Sequence, residues 1–196
     1  MSGQRLIDVV LSRFALGEVV IDRVLIIGTS CCGKSTFAES LSERTGIAHT
    51  ELDSLFWQKD WEPVPSDLFV NRVRDVVARD HWIIDGNYSS IQPLFLARAT
   101  TVIWLNYSFA TIALRALRRT CRRIRNREEL FGGNRESFKQ SFLSRDSILL
   151  WVVRTFWRHR REYRQLYVER THMGVEYVEL ANQGEATRYL ESVAVR

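Results

Sequence analysis

Five short strand-like segments, separated by stretches of helical periodicity, organise the chain. Residues 24–27 (Val-Leu-Ile-Ile) are continuously apolar and end in Gly28, which predicts a strand buried on both faces of a parallel sheet. Residues 48–52 predict a short second strand. Residues 82–84 (Trp-Ile-Ile), running into Asp85-Gly86, predict a third, residues 101–105 a fourth and residues 175–180 a last one. Between them the apolar period lengthens. Residues 33–44 predict a helix stopped by Thr45-Gly46. Residues 67–79 carry Leu68, Val70, Val73, Val76 and Val77 at helical spacing, with Asp67 near the start. Residues 108–126, about 141–170 and 185–193 predict three more helices, and residues 1–20 a short helix or arm. Phe131-Gly132-Gly133-Asn134 predicts a loop, as does the aromatic stretch around Phe56, Trp57 and Trp61 with Pro63 and Pro65. Strands alternating with helices make an α/β fold with a mainly parallel sheet.

Length and composition narrow the class. At 196 residues the chain is expected to be a single domain over 1–196. With 45% hydrophobic and 26% charged residues it is neither disordered, collagenous nor a disulfide scaffold. No apolar run approaches the 18 or so residues a membrane span needs, so no membrane partner is expected. Acids and Arg13 within the apolar N-terminal stretch make a poor signal peptide. Three cysteines, two of them adjacent, suit a reducing cytoplasmic setting.

Charge is uneven. The chain carries a net +5, yet residues 115–164 alone carry +10, which leaves the remainder at −5. Only three lysines occur, so the cation of that segment is Arg, whose planar fork binds phosphate in a bidentate manner. A phosphate clamp, a nucleic-acid patch and a solvated helical surface all fit this composition.

The sharpest motif is Gly28-Thr29-Ser30-Cys31-Cys32-Gly33-Lys34-Ser35, which fits G-x-x-x-x-G-K-[ST] at every fixed position. An apolar strand enters it and a helix leaves it. In that setting the loop amides and the helix N-terminus cradle phosphates. With Thr36, the loop is expected to bind ATP. Lys34 would bridge the β- and γ-phosphates, and the Ser35 hydroxyl would ligate Mg²⁺. Cys31 and Cys32 are small residues filling the loop, or thiols of altered reactivity beside Lys34.

Acids at strand ends complete such a site. Asp85 follows the third strand at the Walker-B position, where it would secure Mg²⁺ with Ser35. Asp53, read as ending the second strand, would orient or deprotonate an acceptor, hold Mg²⁺ through water, or merely cap a helix; Glu51 is a weaker version of the same idea. His49, His81, His159 and His172 show no ligand spacing. Arg115, Arg118, Arg119, Arg122 and Arg123 recur at helical spacing, and Arg135 and Arg145 follow Gly132-Gly133. From this set Arg119 and Arg135 are expected to reach the transferring phosphate. Phe56, Trp57 and Trp61 would form a stacking wall or pack in the core.

These residues resemble the small P-loop kinases related to adenylate kinase, and within them the topology-modulation (FlaR-like) adenylate-kinase-like group. The resemblance is carried by the phosphate loop, by residues 52–57 (Leu-Asp-Ser-Leu-Phe-Trp) with Trp61, by residues 82–88 (Trp-Ile-Ile-Asp-Gly-Asn-Tyr), and by residues 127–136 (Arg-Glu-Glu-Leu-Phe-Gly-Gly-Asn-Arg-Glu). It implies a three-layer P-loop sandwich around a five-stranded parallel sheet, as in nucleoside monophosphate kinases. It further implies a core over about 21–114 and 165–196, an acceptor region around 53–75, and an Arg-rich helical lid within 115–164. The implied activity is transfer of the γ-phosphate of ATP, with Mg²⁺, to a small acceptor, nucleotides included. The Asp-Gly-Phe-Pro-Arg turn of true adenylate kinases is replaced here by Asp85-Gly86-Asn87-Tyr88. No Gly-Asp-Leu-Leu-Arg-like segment follows the second strand either. This puts AMP in doubt as acceptor unless Arg72 or Arg74 substitutes. Asp53 resembles the second-strand aspartate that contacts the acceptor hydroxyl in shikimate- and gluconate-type kinases. The alternatives are a nucleic-acid-binding or regulatory ATPase using the basic segment, and a nucleotide-binding protein without turnover.

Overall fold

The five strand-like segments become five parallel strands in the order β2-β3-β1-β4-β5. These are β1 (Arg23–Gly28), β2 (His49–Glu51), β3 (Trp82–Asp85), β4 (Thr101–Leu105) and β5 (Glu176–Leu180). A computed structural model describes residues 21–126, 128–134, 147–171 and 175–193. The expected arm over 1–20, the start of the long helix near 141, and Arg135 and Arg145 lie outside those residues.

Seven helices appear among the described residues: α1 (Lys34–Thr45), α2 (Leu52–Phe56), α3 (Ser66–Val77), α4 (Gln92–Leu96), α5 (Phe109–Asn126), α6 (Ile148–Thr171) and α7 (Gln183–Ser192). They cover both sheet faces. One face packs Val24, Ile26, Ile83, Ile103 and Val178 against α1, α5 and α7. The other packs Leu25, Ile27, Ile84, Val102 and Trp104 against α3, α4 and the latter half of α6. Such two-sided burial explains why these strands read as continuous apolar runs. Each fully buried Ile or Leu contributes about 1.5–3 kcal/mol relative to exposure.

Three local outcomes refine the sequence reading. The second strand stops at Glu51, because residues 52–56 turn into α2, with Ser54 Oγ donating to the Glu51 carbonyl at 2.6 Å. Asp53 therefore stands on a helix, not at a strand end. The last helix starts two residues before the expected Glu185: Asn182 Oδ1 accepts from the Glu185 amide at 3.0 Å, and Glu185 Oε2 accepts from the Ala181 amide at 2.7 Å. Ala116 of α5 and Val152, Phe156 and Tyr163 of α6 are all core residues, although each falls within the Arg-rich segment.

His159 of α6 stacks on Tyr163 with ring centroids 5.7 Å apart, and its Nδ1 is buried without a hydrogen-bond partner. Burial first, then Arg158 and Lys34, push its pKa down to about 4. The unfolded imidazole protonates near 6.5 and the folded one near 4, so stability is fully present above 6.5 and falls away between the two. The loss amounts to roughly 3 kcal/mol by pH 4. Thermal unfolding of His159→Phe against the native chain should show a flatter profile across pH 4–6.5; parallel profiles would contradict the assignment.

Candidate functional site

The strand order reverses across β1, which has β3 on one side and β4 on the other. The loop after β1 thus opens at the carboxyl edge of the sheet, where α/β proteins bind ligands. Gly28 ends the strand at φ 154°, and a Cβ there would lie 2.7 Å from Cys32 Sγ and 2.9 Å from the Leu105 carbonyl oxygen. Only glycine lets the chain turn this tightly into α1. Thr29 is buried, Ser30 and Cys31 are half-buried, and Gly33 occupies the N-cap of α1. Cys32 is sealed in the core, and burial raises its thiol pKa despite nearby Lys34. It fills the loop from below as a small apolar residue and is not a thiolate.

Lys34 Nζ donates to the Gly28 carbonyl at 2.9 Å and lies 3.4 Å from the Thr29 carbonyl. Asn87 Nδ2 donates to the same Gly28 oxygen at 2.6 Å. Its own Oδ1 is buried without a partner. Next along α1, Ser35 Oγ lies 2.9 Å from both Asp85 Oδ2 and Glu51 Oε1, whereas Thr36 points to solvent. One hydroxyl carries one proton and satisfies one carboxylate. The second close oxygen calls for a further proton or a cation.

Register explains the convergence. Glu51 pairs with Asp85, and His49 with Ile83, across β2 and β3. Residues 49 and 51 share a face by the two-residue strand period. His49 Nε2 accordingly donates to Asp85 Oδ1 at 2.7 Å. Burial first, then Asp85, raise the Glu51 pKa. This group of hard oxygen donors fits Mg²⁺, which is held by one or two carboxylates together with substrate phosphates and water. His49 shows no ligand spacing in the sequence, yet it supports Asp85, and the two-residue period linking it to Glu51 is the signal that points to it.

Asp53 lies beside this group. Its Oδ1 accepts from the Tyr88 hydroxyl at 2.6 Å. Burial, then Asp53, raise the Tyr88 pKa, so the phenol keeps its proton and donates. Around the pair, Phe56 contacts Trp57, Phe69 and Tyr88 with ring centroids 4.8–5.0 Å apart, and Trp57 contacts Trp61 at 5.8 Å. These rings pack on one another, as the packing expectation has it, and Phe56, Trp57 and Trp61 remain half-buried. Arg72 Nη1 donates to the Leu55 carbonyl at 2.9 Å, while Arg74 is exposed.

The described arginines divide by role. Arg115 braces the phosphate loop: Nη1 donates to the Cys32 carbonyl at 2.6 Å, Nη2 to Gln183 Oε1 at 2.8 Å, and the guanidinium covers the Tyr107 ring at 4.7 Å. Arg119, one turn on, is half-buried, and its Nε has no hydrogen-bond partner. Arg122 pairs with Glu128 at 3.1 Å.

No protein-family profile matches the chain, and no curated protein matches it. The fold is similar to several solved structures. A gluconokinase from Sinorhizobium meliloti 1021 aligns at 15% identity and TM-score 0.49, covering 87% of this chain and 88% of that one. A sugar kinase from Janibacter sp. HTCC2649 aligns at 14% and 0.44, covering 88% and 94%. Shikimate kinase from Aquifex aeolicus vf5 aligns at 19% and 0.39, covering 47% and 68%.

Proposed function

We propose that the protein is an ATP-dependent phosphotransferase of the P-loop kinase type, related to the adenylate-kinase-like group, that phosphorylates a hydroxyl or phosphate of a small acceptor. The observation carrying this reading is the meeting of Ser35 with Asp85 and Glu51 directly beside Lys34, at the end of a phosphate loop. Residues 28–36 bind the ATP phosphates through loop amides and the start of α1. Ser35 and Asp85, with Glu51, hold Mg²⁺. When bound, Mg²⁺ neutralises the charge of the β- and γ-phosphates. Lys34 leaves the loop carbonyls to meet the transferring group, joined by Arg119 and Arg135.

On the acceptor side Asp53 receives the proton of the attacking hydroxyl, held in place by Tyr88. The acceptor oxygen bonds to the γ-phosphorus as the bond to ADP breaks, and the proton passes from Asp53 to solvent. Among the described residues no helix is long and apolar enough to cross a membrane. Cys31, Cys32 and Cys121 form no disulfide, and a cytoplasmic location accords with this role. The test is ATP turnover by pure protein with Mg²⁺, screened over nucleoside monophosphates, sugar acids and polyols. A Lys34-dependent product with one acceptor establishes the reading, and ATP binding without any product overturns it.

One feature favours a second reading, in which the basic segment binds nucleic acid. On the outward face of α6, Trp157 is 65% exposed beside a groove of about 610 Å³ shared with Arg160, Arg161, Arg164 and Val168. Binding of single-stranded oligonucleotide that weakens steeply with salt would support this reading over the kinase one.

A further inference from the structure

Two segments that the sequence singles out, and that the phosphate-transfer chemistry leaves unused, meet in the fold. The turn at Phe131–Gly133, with Asn134, sits on the loop 58–61 next to the aromatic wall. Asn134 is 5% exposed and fully engaged. Its Nδ2 donates to the Gln58 carbonyl at 2.7 Å and to the Phe131 carbonyl at 2.6 Å, and its Oδ1 accepts from the Trp61 amide at 3.1 Å. Gly132 makes the approach possible. A Cβ there would lie 2.6 Å from the Gln58 carbonyl carbon and 2.7 Å from the Lys59 nitrogen, a collision with backbone that no side-chain motion relieves.

The receiving loop does not lie in a relaxed conformation. Asp60 and Trp61 both have positive φ, at 61° and 57°, the left-handed region that a bulky Trp rarely adopts. Such geometry persists only where surrounding bonds over-determine it. Here those bonds are the Gln58 amide to the Glu62 carbonyl at 2.8 Å, the Trp57–Pro63 bridge, and Asn134. From Trp61 the ring contacts continue through Trp57, Phe56 and Tyr88 to the carboxylate of Asp53.

We infer that Asn134 is a positioning residue for the acceptor pocket: by fixing the strained 58–61 loop from across the molecule, it sets the Trp57–Trp61 wall against which the acceptor lies. The inference rests on the kinase reading for what the pocket holds, and on geometry alone for the docking. An amide is required, because a carboxylate of the same shape offers no hydrogen to the Gln58 and Phe131 carbonyls.

Three variants separate docking from backbone strain. Asn134→Asp removes both donors while keeping shape. Gly132→Ala adds the colliding Cβ and leaves Asn134 untouched. Gly133→Ala is the control, because its φ of 76° makes it at least as strained as Gly132 at 66°, yet its Cβ would meet nothing within 4 Å. Amide hydrogen exchange of the peptide spanning 57–63 should quicken by about tenfold or more in Asn134→Asp and Gly132→Ala and stay near native in Gly133→Ala. In turnover assays the first two should raise KM for the acceptor about tenfold with KM for ATP within twofold, and Gly133→Ala should leave both near native. Unchanged exchange in Asn134→Asp, or equal effects of the two glycine variants, overturns the docking. Faster exchange with an unaltered acceptor KM overturns the positioning role. Absence of turnover in the native chain overturns the kinase reading and the positioning role together, and the exchange result still decides the docking.

Discussion

Lys34→Ala should lower kcat/KM for ATP-dependent transfer by about 10²–10³-fold or more, the cost of removing one preorganised charge donor from a developing anion. The fold should survive the change. The Gly28 carbonyl that Lys34 contacts keeps its bond from Asn87 Nδ2, and Arg115 still braces the loop through Cys32. Lys34 is half-buried, and its Nζ reaches the Gly28 and Thr29 carbonyls, so little packing is lost with it. The expected pattern is therefore a melting temperature near that of the native chain with turnover close to background. Turnover within a few-fold of native would refute the assignment of the transferring-group cation.

Asp85→Asn is expected to act nearly as strongly, and on a different axis. Asp85 is 2% exposed, with one oxygen on Ser35 and the other on His49, so the isosteric amide fits while the charge disappears. The half-saturating Mg²⁺ concentration should rise about tenfold and kcat/KM should fall about 10²-fold, since the metal neutralises charge that no side chain replaces. Glu51→Gln should act in the same direction but more weakly, because burial and Asp85 already disfavour the Glu51 charge. A Mg²⁺ titration of the two variants ranks them directly. A larger effect from Glu51→Gln would move the principal ligand from β3 to β2.

What the sequence revealed was local. The run 24–27, the loop 28–35 and the acid after the third strand lie within short windows whose chemistry is set by neighbours in the chain, and each stands where its pattern predicts. Relations across the sheet were harder to see. His49 and Glu51 reach Asp85 through the register of β2 on β3, and no window contains both partners. Asp53 looked like a strand end because apolar Leu52 continues the run, whereas a five-residue helix intervenes. Arg115 looked like one more cation of a basic helix. Its role depends on Cys32, 83 residues away, and on Gln183. Asn134 belonged to a recognisable motif, but nothing local tells which backbone its amide will hold.

The central place of β1 also governs how the chain comes into being. Its partners on both sides, β3 and β4, follow at residues 82–85 and 101–105, so Val24 finds its mates only at Ile83 and Thr101. At ribosomal speeds of about 5–20 residues per second, the run Arg23–Gly28 waits about three to eleven seconds for β3 to pair its first edge and about four to fifteen seconds for β4 to pair its second. Pairings this distant in sequence also close large loops, which slows folding relative to helical proteins of the same size. The strand that carries the phosphate loop is thus the nascent chain's most exposed adhesive edge, and slowing translation between residues 28 and 105 should increase the share of product lost to aggregation.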